Sequence, residues 1–244
     1  MRTSFICAIF VLAAAPAIAQ TEWEGRVRIG VSGGGQLDTM RLNESIVLTK
    51  NVEPAPLTTS QANKTLPLVD AGATFRLNGN LGAGVSLSVL SGTAGAAVSA
   101  QIPHPFLFNQ PRTVTGLASN VTHREVAAHT DLAYVIVSDR IDLALSTGAS
   151  FFRVDQDLVS DILYTESYPY DTATFVSAPT KRVTATRVGY NVGADATWKL
   201  SPRWGVGGLL RFARARVPLS VNGLDAGTVN AGGLQLGVGL RVMF

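Results

Sequence analysis

The sequence predicts an all-β fold: an eight-stranded antiparallel up-and-down transmembrane β-barrel with long extracellular loops. Three observations predict it. Segment after segment alternates apolar side chains with polar or small ones. The connections between these segments alternate between tight turns and long polar stretches. The final strand, Ala231 to Phe244, sets Leu234, Leu236, Val238, Leu240, Val242 and Phe244 on one face, opposite Gln235, Gly237, Gly239, Arg241 and Met243, and stops on the aromatic. A period of two sends each set to its own side, so one face can meet lipid while the other encloses small and charged groups.

The elements follow in order. Arg2, the apolar run Phe5 to Ala14 and the small-x-small site Ala17-Ile18-Ala19 predict a secretory signal over residues 1–19, with the barrel domain over 20–244. Strand-like segments follow. Trp23 to Gly33 faces Val27, Ile29 and Val31 away from Arg26, Arg28 and Ser32. Leu66 to Leu77 opposes Val69, Ala71, Ala73 and Phe75 to Asp70, Gly72, Thr74 and Arg76, and the segment from Leu81 opposes Val85 and Leu87 to Gly84 and Ser86. In the next pair, Leu132 and Tyr134 oppose His129 and Asp131, and Leu143, Leu145 and Phe151 oppose Asp142, Ser146 and Ser150. Val188, Tyr190, Val192 and Trp198 face away from Arg187, Asn191, Asp195 and Lys199, Trp204, Val206, Leu210 and Phe212 are backed by Gly205, Gly207 and Arg211, and the C-terminal strand closes the set.

Short turns fall at Asn78-Gly79-Asn80, Ser138-Asp139-Arg140 and Leu200 to Arg203. The long polar stretches 34–65, 104–122, 155–184 and 218–230 fill the other gaps and are expected to be extracellular loops. Within them Ser45 to Thr49 and Ile162 to Val176 are still strand-like. They are expected to extend hairpins beyond the membrane, and a ten-stranded count follows if they insert. Trp198 and Trp204 flank the third short turn, and with Trp23 and Phe244 they predict an interfacial aromatic belt.

Composition excludes several chemistries. The only cysteine, Cys7, lies in the signal, so the mature chain has no disulfide, thiolate metal site or thiol nucleophile. Twenty basic and 17 acidic residues, net charge +3, are spread along the chain without the basic block that nucleic acid demands. Three scattered histidines lack metal-ligand spacing, and the glycine clusters at 82–84 and 205–208 lie on strands rather than before a helix, so no cofactor is expected.

With these residues in view, the chain resembles the small outer-membrane barrels of the OmpA and OmpX type across its mature length. The resemblance rests on the terminal assembly signal matched by Gly239, Val242 and Phe244, with Gly237 where that group has a polar residue. It implies a bacterial outer-membrane location, outer-membrane lipids as surroundings, and recognition of the last strand by the barrel-assembly machinery. No peptidoglycan-binding domain is expected after the barrel.

A barrel of eight strands is just wide enough to be filled by side chains. Arg28, Arg211 and Arg241 against Asp70, Asp131 and Asp195 predict an ion-paired, plugged lumen, since a lone charge there would be costly; a narrow wet cavity is the other reading. His129 and Asp131, with Ser146 or Ser150 on the next strand, form the one grouping that resembles nucleophile, base and orienter. A structural polar network accounts for it better. The expected function is therefore non-enzymatic: a monomeric barrel serving envelope integrity, whose loops contact surface ligands. A small-solute or apolar-solute channel and a lipid-modifying enzyme are the alternatives. A soluble lipocalin-like barrel would reverse the two faces.

Overall fold

The computed structural model describes residues 25–37, 40–63, 65–221 and 224–244. The signal segment and Trp23 lie outside the described residues. Twelve strands are described: β1 (Val27–Gln36), β2 (Met40–Lys50), β3 (Glu53–Asn63), β4 (Leu66–Asn78), β5 (Leu81–Pro103), β6 (Pro111–Ile136), β7 (Ile141–Val159), β8 (Leu163–Glu166), β9 (Ala173–Ser177), β10 (Thr180–Lys199), β11 (Trp204–Val221) and β12 (Leu224–Met243).

Eight of them close a ring in the order β1, β4, β5, β6, β7, β10, β11, β12, every pair antiparallel and each strand beside its neighbour in the chain path. The ring shuts between β12 and β1, where Arg28 lies opposite Met243 and Gln36 opposite Gln235. Phe244 completes the seam, its N–H donating to the Val27 carbonyl at 2.9 Å while its own carbonyl accepts from Arg26. Gly239 sits inside this ladder, where a Cβ would collide with the Val31 carbonyl oxygen, so the position requires glycine.

Face polarity settles which side meets lipid. Val238, Leu240, Val188 and Val192 are exposed, whereas Arg28, Arg211 and Arg241 are about 95 % buried (5 %, 5 % and 4 % exposed). The apolar set points outward and the ionic set is enclosed, the arrangement of a transmembrane barrel and the reverse of a lipocalin. Trp198, Trp204 and Phe244 are exposed near the short-turn rim, and Phe151, Tyr190 and Phe212 form an upper band in which Tyr190 and Phe212 contact at 6.3 Å.

The long polar stretches are largely hairpins, as expected for Ser45 to Thr49 and in part for Ile162 to Val176, with irregular chain left at 104–110 and 167–172. β1 and β2 run almost head to tail, as do β3 and β4, and β2 pairs with β3 through a tight turn at Asn51 and Val52, both with positive φ. β5 and β6 continue to Pro103 and Pro111, and β3 joins the wall by pairing with β5. The short β8–β9 hairpin is a separate sheet, and its Tyr164, Ala173 and Phe175 pack against the buried residues of the extension. The barrel wall therefore continues well beyond the apolar band, and the ring count stays at eight.

This extension has a different core. Ile46, Leu57, Val98, Ile102, Val114 and Ile162 are buried together in one cluster, and Phe152, Val154, Leu158, Val217 and Val229 in another. Each such side chain removed from water contributes roughly 1.5–3 kcal/mol. The outward positions here include Ser45, Thr58, Ser60, Thr113 and Thr115, with Val47 and Leu117 among them. On β6 the inward face changes from odd to even numbers at a bulge, where Asn120 adopts φ +59° and the β5 register slips between Ala94 and Ala96.

Candidate functional site

The lumen is filled level by level. Nearest the short turns, Arg28 donates to Asp142 at 2.7 Å, and Lys199 reaches the other oxygen of Asp142 at 2.9 Å. Above it Arg241 binds Asp195 through both Nε and a terminal nitrogen, and Thr197 donates to Asp195 at 3.1 Å. Arg241 fits because Gly30 and Gly207 face it; a Cβ on either would press on its side chain at 2.8–2.9 Å. Next, Arg211 donates to Asp70 at 2.6 Å and to Ser86 at 2.9 Å.

Sequence reasoning expected Asp131 in this network. Instead Asp142 takes Arg28, while Asp131 lines a cavity of 90 Å³ with its Oδ1 buried and without a hydrogen-bond partner. Asp142 was legible as inward but not as a partner, because the tilt of strands around a barrel sets which levels face each other. Ser146 also lines the cavity.

The histidine level follows. His129 Nδ1 lies 2.7 Å from Ser150 Oγ and its Nε2 lies 3.0 Å from Ser88 Oγ. Asn191 donates to the same Ser150 oxygen at 3.0 Å. These four side chains are buried, and the Phe152 ring meets His129 edge-on at 6.2 Å. The expected orienting role of Asp131 is not what is found: a serine stands on each ring nitrogen. A triad needs a carboxylate behind the base and an approach for substrate in front of it, and the described residues provide neither at His129.

Higher still, Gln36 accepts from Gln235 at 3.0 Å. His123, expected in or beside a loop, is instead fully buried on β6, 2.8 Å from Glu125 and 2.7 Å from Gln156, which donates to Gln61 at 2.9 Å. Glu125 also accepts from the Gly232 N–H at 2.9 Å. The apolar clusters then cover the column. Among the described residues no group of three or more His, Cys, Asp or Glu side chains is placed to hold a metal ion.

A closed antiparallel ring, apolar without and ionic within, defines a transmembrane barrel of the bacterial outer-membrane class. No protein-family model matches the sequence, and no curated protein matches it. Among solved structures, the chain is similar to Neisserial surface protein A, at 12 % identity and TM-score 0.47, covering 91 % of this chain and 98 % of that one. It is also similar to the outer-membrane protease OmpT from Escherichia coli, at 11 % identity and TM-score 0.49, covering 90 % and 97 %. A third likeness is to the attachment invasion locus protein Ail of Yersinia pestis, at 12 % identity and TM-score 0.38, covering 88 % and 99 %.

Proposed function

We propose that this chain is a non-enzymatic outer-membrane protein whose lumen is a plug, and which acts through its wall and its extracellular extension. It serves envelope integrity and presents a rigid β surface to ligands outside the cell. The observation that carries this reading is the succession of levels from Arg28–Asp142 to Gln156–Gln61, each bridged by bonded side chains and roofed by apolar clusters, with 90 Å³ left open among the charges. That space holds a few waters and is far below what a solute path requires.

The wall supports a monomer, since a ring closed within one chain leaves no strand edge in the membrane for a second copy. The last strand, with Gly239, Val242 and Phe244 at the closing seam, is the segment offered to the barrel-assembly machinery before closure. The test is planar-bilayer recording with purified monomer. The expected result is no steady conductance, with at most brief openings; a large, steady current would overturn the plug and favour the channel.

A further inference from the structure

The outward face has one break in its polarity. On β4 and β5 the apolar band gives way to uncharged residues, Pro67 on β4 and Ser91 and Thr93 on β5. On β6, β7 and β11 it gives way to arginines, and on β10 an arginine stands at the same height. Arg124, Arg153, Arg187 and Arg214 each lie ten to twelve residues from the short-turn end of their strand. A membrane-crossing strand is about 9–11 residues long, so these guanidiniums stand where acyl chains end and headgroups begin.

Two of them frame a groove whose lining includes Phe151, Val188 and Thr186. Phe151 and Val188 are opposite each other in the β7–β10 register and both point outward. Arg153, two residues higher on β7 and on the same face, is 62 % exposed. Arg187 has the inward parity of Ala185 and Val183, which pack on the core, yet it is exposed. The cause is a split in the wall: β10 pairs with β11 only from Tyr190 and Arg214 downward, while both strands continue above. Where β11 departs, Arg187 is uncovered beside the groove.

We propose that this groove binds a phosphorylated lipid of the surrounding leaflet, its phosphate held by Arg153 and Arg187 and its acyl chain laid on Phe151 and Val188. Guanidinium is the side chain suited to phosphate, offering paired N–H donors in a fixed fork, and an apolar floor directly below the cations matches an anionic amphiphile rather than a soluble anion. Asp155, the nearest acid, lies 3.6 Å from Arg153 Nε and accepts from Thr184 at 2.6 Å, so a phosphate would not have to displace a close bidentate pair.

This inference rests on the barrel reading, and the experiment separates the two. The full chain is refolded in detergent, its folding checked by heat-modifiable migration, and lipid retention read by native mass spectrometry with dioleoyl phosphatidic acid or dioleoylglycerol, which share acyl chains and differ in the phosphate. The expected result is a preference for phosphatidic acid of about tenfold, lost in Arg153→Gln/Arg187→Gln and reduced in Arg187→Gln alone. Arg140→Gln at the opposite rim keeps it. Equal retention of the two lipids by the folded wild type, or an unchanged preference in the folded double variant, overturns the site. Displacement by equimolar inorganic phosphate overturns the lipid as its ligand. Failure of the wild type to show heat-modifiable migration overturns the barrel itself.

Discussion

The membrane half of the wall and the extension above it enclose opposite interiors. Within the membrane, β5 and β6 enclose Ser86, Ser88, Glu125 and His129 and turn Val85, Leu87 and Leu132 outward. Above it, the same two strands enclose Val98, Ile102, Val114 and Ala118 and turn Ser99, Thr113 and Thr115 outward. The lesson is that solvent outside the wall dictates what the wall encloses. Lipid outside removes the hydrophobic drive to fill the lumen with apolar groups, so ion pairs and hydrogen bonds fill it. Water outside restores that drive, and the interior becomes an ordinary core.

If that contrast is right, the largest loss comes from unpairing a charge in the lower half. Arg211→Met leaves Asp70 buried without its partner, and about 3–5 kcal/mol is expected to be lost. Replacing Asp70 as well, in Arg211→Met/Asp70→Leu, should recover much of it. Urea unfolding in detergent or liposomes checks both. A single variant as stable as wild type would mean that the lower lumen is wet and forgiving rather than a sealed network.

A smaller effect tests the outer faces. Val238 is outward and near the middle of the apolar stretch Leu234 to Phe244, so Val238→Arg is expected to cost about 2–4 kcal/mol. Thr115→Arg, equally outward on the upper half of β6, should change stability by less than about 0.5 kcal/mol. Equal costs at the two sites would erase the boundary drawn between lipid-facing and water-facing wall.

The two halves also differ in how plainly the sequence announces them. The membrane half was legible because Val, Leu and Phe alternate with Gly, Ser and charged residues between short turns, and Phe244 marks the seam. Apart from Ser45 to Thr49 and Ile162 to Val176, which read as strand, the upper half reads as polar loop for two physical reasons. Its buried positions are often small, such as Ala55, Ala96 and Ala100, so the alternation is muted beside the surrounding Thr and Ser. The bulge at Asn120 also shifts the inward face by one residue, so that Val114 and Ala118 fall out of phase with His123 and Glu125. In the lumen, the sign and burial of Arg28, Arg211 and Arg241 were legible. Partner choice was not: Asp142 takes the place given to Asp131, because level depends on a stagger that no single strand encodes. The bulge also hides His123, whose buried position beside Glu125 no spacing suggests.

The smallest predicted effect probes a carboxyl placed in the apolar half. Glu44 on β2 is buried between Leu42 and Ile46, and receives a hydrogen bond from Thr59 at 3.0 Å. Burial is the main cause that raises its pKa from 4.5 to about 7, with the Thr59 hydroxyl opposing. The folded hairpin therefore holds a proton that the opened hairpin releases between those two values, so stability is fully present below pH 4.5 and is lost as pH rises through 7. Amide exchange across β2 and β3, corrected for its intrinsic pH dependence, should show protection about tenfold weaker at pH 8 than at pH 5, or about 1.4 kcal/mol. Glu44→Gln, which cannot ionise, should show no such slope, and strands β1 and β12 in the membrane half should be indifferent in both. An equal slope in Glu44→Gln would place the titrating group elsewhere; a flat wild type would mean that water reaches Glu44 and that the upper interior is not the dry core that separates it from the lower one.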